Sequence, residues 1–319
     1  MFHPLLHLLS PGGERGRLTI LIFHRVLPSR DPLFPDEVDA ERFDQICRWL
    51  RDWFRVLPLD EGVLRLKAGT LPARAAAITF DDGYADNHDV ALPILQRHGL
   101  TAAFFVATGF LDGGRMWNDT VIESVRASKL QTLDLSEVGE QGLGVHDLTD
   151  VVARRRAIDS IISRVKYLQP VQRTDTVSRI AEASGAPLPA TLMMRSDQVH
   201  ALHRAGMQIG AHTVTHPILA TLAEEEVRRE MQESKQCLER IIGSRVGLFA
   251  YPNGKPGEDY DERSVAVARE LGFDAALSTT WGAARQADDP FQLPRFTPWD
   301  RTRWRYGARL ARSLLASYA

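Results

Sequence analysis

Short apolar runs alternate with amphipathic helical patterns along most of this chain, and that alternation limits the fold more than any other feature. "RLTILIFHRV" reads as a buried strand from Leu18 to Phe23, "AAAITF" as a second and "TAAFFVAT" as a third. Between the first two, "DAERFDQICRWLRDW" sets Phe43, Ile46, Cys47 and Leu50 at helical spacing behind Asp39 as N-cap. "HDVALPILQRHG" follows the second strand as a helix closed by Gly99. Strands and helices in series imply a parallel sheet, either open or closed into a barrel.

The rhythm fails from about Met116 to Leu192. "DTVIESVRAS", "VVARRRAIDSIISRVKYL" and "TDTVSRIAEASG" are helical patterns with no convincing strand between them, so residues 116–192 read as a helical insertion. The alternation then resumes through the strands "MQIGAH", "GLFAYP" and "FDAALST", each preceded by a helix. At 319 residues the chain suits a single α/β domain, with its core over 18–300. A C-terminal amphipathic helix is expected over about 301–317, with Trp304, Leu310 and Leu314 at helical intervals among arginines. Such a helix either docks on the barrel or lies on an acidic membrane surface.

Lys plus Arg number 39 against 41 Asp plus Glu, a formal net charge of −2, which gives no global electrostatic case for nucleic acid. Cys47 and Cys237 stand alone in helix-like patterns, so neither a disulfide framework nor a cysteine metal site is expected. The N-terminus, "MFHPLLHLLSPGGERGRLTI", is apolar but has no basic leader and no small-residue cleavage site. No run approaches the roughly 20 apolar residues of a membrane span. The expectation is a cytoplasmic protein, with peripheral contact at the inner membrane surface open through the C-terminal helix.

The chemistry collects at strand ends, where α/β folds place their sites. "AAITFDDGYADN" runs a buried strand into two adjacent carboxylates, Asp81 and Asp82. Neighbouring carboxylates repel and resist desolvation, so a cation, a shared proton or simple exposure must compensate. "HTVTHP" sets His212 and His216 four apart after another strand, a spacing that lets two imidazoles meet one ion. Each feature alone is weak, since paired Asp residues commonly form solvated turns or helix caps. Together, two imidazoles and one of the aspartates form a three-ligand set suited to Zn²⁺, and also to Co²⁺, Ni²⁺ or Mn²⁺. Three protein ligands leave a coordination position for water, and the second aspartate is then available as a proton acceptor.

"TFDDGYADN" and "HTVTHP" resemble the first two signature motifs of the polysaccharide deacetylases, the NodB-homology or carbohydrate esterase family 4 enzymes. "FAYPNGKPG" is similar to their third motif in the branch found with exopolysaccharide loci, which includes the poly-N-acetylglucosamine deacetylases. The resemblance runs from about Leu18 to Pro298. It implies an irregular (β/α) barrel, commonly seven-stranded, and metal-dependent removal of acetyl groups from N-acetylated amino sugars. By motif, Asp81 is the catalytic base and Asp82, His212 and His216 are the metal ligands. The backbone N–H of Tyr251 is expected to help hold the oxyanion.

The chain has no histidine after His216, where classical members carry their general acid. His24 in "LIFHRV" resembles the strand-end histidine given that role in the poly-N-acetylglucosamine branch. Arg295 in "QLPRFTP" matches a late arginine of the same branch and is expected to orient Asp81 and lower its pKa. Tyr84, Trp117 and Asn253 are the candidate substrate contacts, with Trp281 and Trp299 as further aromatic surfaces. The insertion beginning beside Trp117 is expected to shape the groove. The expected partner is an N-acetylated glycan, or a lipid- or nucleotide-linked sugar. Hydrolysis of another non-peptide amide, such as a formamide or cyclic amide, is one alternative. A catalytically silent carbohydrate-binding relative is the other.

Overall fold

The computed structural model describes residues 2–316. In chain order the first half contains α1 (Phe2–Leu9), β1 (Thr19–Phe23), α2 (Ala40–Trp53), β2 (Arg55–Val56), α3 (Leu59–Lys67), β3 (Ala75–Phe80), α4 (Leu92–His98), β4 (Ala103–Val106) and α5 (Trp117–Ala127). There follow β5 (Thr132–Leu135), β6 (Gly144–Asp147), α6 (Val151–Val165), α7 (Pro170–Ser184), α8 (Ser196–Arg204) and β7 (Gln208–Ala211). The chain ends with α9 (Glu224–Ile242), β8 (Leu248–Ala250), α10 (Glu262–Glu270), β9 (Ala275–Trp281), β10 (Leu293–Arg295) and α11 (Arg303–Leu315).

Seven strands pair in the order β1-β3-β4-β7-β8-β9-β10, every neighbour parallel, and β2 adds a short rung beside the start of β3. The ends of the sheet meet. The N–H of Phe296, just past β10, donates to the Ile20 carbonyl at 2.7 Å, and the N–H of Ile22 donates back to the Phe296 carbonyl at 3.1 Å. The result is a nearly closed (β/α)₇ barrel. β10 was not legible as a strand, because it is three residues long, contains Pro294, and faces a bulge in β9.

Alternation along the strands sorts side chains into two cores. Ala75, Ala77, Ala103, Phe105, Ala250 and Leu277 pack together inside the barrel. Small residues dominate because seven strands enclose little room. A Cβ at Gly210 would lie 2.4 Å from the Phe105 ring, so the glycine makes space for that aromatic. α3 contributes Leu59, Val63 and Leu66 to the same cluster. The opposite faces, with Phe80, Phe104 and Phe249, pack against the outer helices.

Local signals hold where they were strong. Asp39 accepts from the Arg42 N–H at 2.8 Å and caps α2. Gly99 closes α4 at φ 62°. The predicted start of that helix is a π turn over Asn87–Ala91. Pro93 has no N–H for an α-helical bond to Asp89, and the wider turn avoids the need for one.

The chain separates into two compact units, one of residues 30–35 and 113–193 and one of the remainder. The smaller unit corrects the expectation of a strandless helical insertion. β5 and β6 form an antiparallel hairpin, with Leu133 opposite His146 and Leu135 opposite Gly144. Each strand spans only four residues, too short for a period of two to stand out. Its own core brings together Val121, Leu133, Leu135, Ile158, Ile161 and Ile180.

At the C-terminus, Tyr306, Leu310 and Leu314 of α11 are buried in the outer core, with the Phe2 ring of α1 5.3 Å from Trp304. Two residues of the expected apolar stripe, Leu310 and Leu314, are therefore covered by protein, while the third, Trp304, stays 59% exposed. Arg303 pairs with Asp52 and Arg309 with Asp300. No described helix is long and apolar enough to cross a membrane. Truncating Leu310 to Ala is expected to cost about 2–5 kcal/mol of stability, the usual penalty for a large-to-small change in a packed core. Chemical denaturation of the two proteins measures it.

Candidate active site

The last rung of the β1–β3 ladder ends at Asp81, whose N–H donates to the Phe23 carbonyl at 2.9 Å. The next residue leaves the strand abruptly. Asp82 takes φ 76° and Gly83 φ 90°, and a Cβ on Gly83 would lie 2.9 Å from Val106 Cγ1. Left-handed backbone is tolerated by Asp and favoured by Gly. This turn sends the two carboxylates to different partners.

Asp81 is buried and meets Arg295 at the end of β10. Arg295 Nη1 and Nη2 donate to its two oxygens, each at 2.8 Å, while Arg295 Nε donates to the Ser278 carbonyl at 2.8 Å. Burial pushes the Asp81 carboxyl up, but the Arg295 guanidinium and the neighbouring histidines outweigh it, and the pKa is lowered. Asp81 is thus an aimed, ionised carboxylate at neutral pH.

Asp82 meets the histidines. Its Oδ1 lies 3.4 Å from His212 Nε2 and 3.4 Å from His216 Nε2. That separation equals the edge of a tetrahedron whose centre stands about 2.1 Å from each corner, the bond length zinc makes to nitrogen and oxygen. The three ligand atoms lie within 4.8 Å of one another, and this is the cluster of such residues found among the described residues. His212 Nδ1 faces the Ala250 carbonyl at 2.7 Å. A carbonyl only accepts, so Nδ1 carries a proton and Nε2 is the ring atom presented to Asp82, the one available to a metal. Burial pushes His216 down to about 4, against the pull of Asp82, leaving it neutral at pH 7 as a ligand must be. His212 is raised, because Asp82 and the nearby charge of Asp81 outweigh its burial. Asp82 is lowered, since the two imidazoles overcome its desolvation. The donor set fits a divalent cation.

A match to the family model for polysaccharide deacetylases covers residues 68–147 and 169–276, more than half of the chain. The chain belongs to the polysaccharide deacetylase family. A putative polysaccharide deacetylase of Bacillus subtilis is 21% identical over 282 residues, covering 88% of this chain and 71% of that protein. A poly-β-1,6-N-acetyl-D-glucosamine N-deacetylase of Staphylococcus aureus is 23% identical over 174 residues, 54% of this chain and 60% of that protein. Among solved structures, the Streptococcus pyogenes deacetylase PplD in complex with acetate has a TM-score of 0.62 at 20% identity, covering 93% of this chain and 98% of that one. IcaB from Ammonifex degensii has a TM-score of 0.60 at 19% identity, covering 96% and 99%. At these identities the structural likeness establishes the fold, and the family match establishes the enzyme class, polysaccharide N-deacetylase.

Asp81, Asp82, His212, His216 and Tyr251 of this deacetylase lie inside the family match, whereas His24 and Arg295 lie outside it. His24 follows β1, exposed at the same strand ends, and its charge lowers the carboxyls of Asp81 and Asp82. The loop it stands on is held by two residues whose roles went unread in the sequence. Asp86 accepts from the Val26 N–H at 3.0 Å and from Arg25 Nε at 2.8 Å, and Asn87 Nδ2 donates to the His24 carbonyl at 2.9 Å. Polar residues one turn past a strand end read as helix-cap material, so "YADN" carried no separate signal.

Two expectations need correcting. The Tyr251 N–H is committed to the sheet, donating to the Leu277 carbonyl at 3.1 Å, and its ring stacks 3.8 Å from Tyr260. The ladder runs one residue further than β8 suggests, so this amide cannot face an oxyanion. Tyr84 is only 4% exposed, and the Arg25 guanidinium lies 4.6 Å from its ring centroid, so it offers no open platform for a sugar. Trp117 belongs to the smaller unit, where Arg173 covers its ring at 5.2 Å. Asn253, by contrast, sits exposed at the exit of β8 with φ 58°.

Replacing Arg295 with Met would leave Asp81 buried without its counter-charge, at a cost of about 3–5 kcal/mol. A lowered carboxyl pKa contributes stability that is complete above its ordinary value of 3.8 and is lost as pH falls toward the folded value. The difference between wild type and Arg295→Met is therefore expected to be widest at neutral pH. It should shrink on acidification, as urea melts across pH would show.

Proposed function

We propose that this protein hydrolyses the N-acetyl groups of amino sugars in a polysaccharide or its sugar-linked precursor, releasing acetate. A divalent metal, most simply Zn²⁺, would be held by Asp82, His212 and His216. The observation that carries the reading is the pairing, on adjacent residues, of an arginine-held carboxylate with a second carboxylate whose oxygen stands 3.4 Å from each of two imidazole nitrogens.

The chemistry a divalent cation supplies in such a site is polarisation of the acetamide carbonyl and acidification of a water, from a pKa of about 15.7 toward about 7. Asp81, ionised beside Arg295, accepts the proton of the attacking water. The water oxygen bonds to the carbonyl carbon, and negative charge moves to the carbonyl oxygen. A backbone donor is needed there. Tyr251 and Gly254 have N–H groups bonded to Leu277 and Pro252, and Pro252 has none, so along this exit the Asn253 N–H has no partner among the described residues. His212 Nδ1 on the Ala250 carbonyl ties this exit to the ligand cluster. We assign Asn253 the oxyanion role. His24 then delivers a proton to the departing nitrogen, the C–N bond breaks, and amine and acetate leave.

Asp81→Asn is expected to abolish acetate release from poly-N-acetylglucosamine or chito-oligosaccharides while retaining the metal by elemental analysis. Turnover in that variant would overturn the role of Asp81. His24→Gln is expected to lower kcat by about 10²–10⁴-fold, the range of a positioned proton donor. Activity on formamides or cyclic amides in place of N-acetyl glycans would redirect the substrate class.

A further inference from the structure

The two histidines stand on a loop that no glycine or proline shapes between them, "HTVTH". It is nevertheless sharply bent, with Thr213 at φ 65° and His216 at φ 53°. A β-branched residue in left-handed backbone is costly and persists only where its surroundings over-determine it. Part of that support is internal, since Thr213 Oγ1 accepts from the His216 N–H at 3.1 Å. Part comes from the turn after β4, where the N–H groups of Thr108 and Gly109 donate to the carbonyls of Thr213 and Val214 at 3.1 and 2.8 Å.

Thr213 Oγ1 also donates to the His212 carbonyl, and a carboxylate from outside the loop adds to these bonds. Glu230, on α9, accepts through Oε2 from the N–H groups of Val214 and Thr215 at 2.8 and 2.9 Å. Its Oε1 accepts from Thr215 Oγ1 at 2.7 Å. Two consecutive amides converge on one oxygen only when the backbone between the histidines is folded back on itself. Bonds to an ionised acceptor are the stronger kind.

We propose that Glu230 is a positioning residue for the metal site: its carboxylate sets the bend that brings His212 Nε2 and His216 Nε2 to the same Asp82 oxygen. The inference rests on the metal reading above. It assigns Glu230 no contact with metal or substrate. A residue that merely anchored a surface loop would affect stability and leave ligand geometry alone.

The test is the Zn²⁺ dissociation constant by chelator competition, with the thermal midpoint of the metal-free protein measured beside it. Glu230→Ala is expected to weaken Zn²⁺ binding about 10–100-fold, as loss of an outer partner of a ligand does. Glu233→Ala, an exposed acid on the same helix, should bind as wild type does. A constant for Glu230→Ala indistinguishable from wild type overturns the proposal, even if its midpoint falls. Should Glu230→Ala fail to fold, Glu230→Gln takes its place. It keeps one acceptor, loses the charge and should bind several-fold more weakly, and a wild-type constant there is equally fatal. Wild type and His216→Ala binding Zn²⁺ equally poorly would instead sink the metal reading itself.

Discussion

Two carboxylates side by side at the end of a buried strand are the constraint around which this protein is built. They do not bond to one shared partner, because a single turn at Asp82 aims them apart. Asp81 is matched by a guanidinium from the last strand of the barrel, and Asp82 by two imidazoles from the loop after β7. Charge balance thereby ties the site to the closure of the sheet. Arg295 is followed immediately by Phe296, whose backbone bonds join β10 to β1. The interaction that closes the barrel also delivers the counter-charge for its most deeply buried acid.

Backbone strain gathers where the chemistry is. Outside glycine, positive φ occurs at Arg74, Asp82, Asp112, Thr213, His216 and Asn253 among the described residues, and four of these six belong to the candidate site. Each aims a group that a relaxed strand or helix would point elsewhere. The surrounding bonds hold them: Ala107 on the Asp82 carbonyl, Glu230 on the histidine loop, and Thr279 on the Asn253 carbonyl. A narrow barrel with an alanine-rich interior is a stiff base for such bends. Its strand ends are fixed by many parallel rungs before the loops begin.

The legible parts of the site were those whose chemistry repeats at short spacing. Asp81–Asp82 and His212–His216 announce themselves as pairs, and six of the seven barrel strands contain a short apolar run that reads as a strand. Arg295 was visible only through family likeness, because a lone arginine in a short proline-containing segment carries no pattern. Asp86, Asn87 and Glu230 were passed over, since acids at helix starts and along amphipathic helices are ordinary. The hairpin of the smaller unit was missed for lack of length, and Tyr251 was misjudged because where a ladder ends is decided by the neighbouring strand.

What the sequence by itself determined is the local character of each segment. Strand runs, helix caps, the paired acids and the paired histidines all follow from neighbours within a few residues. Closure of the barrel, the distribution of Asp81 and Asp82 between separate partners, and the commitment or freedom of each backbone N–H were decided by tertiary structure alone. These depend on contacts between residues as far apart as Asp81 and Arg295. Only the register of packed strands brings such residues to hydrogen-bonding distance.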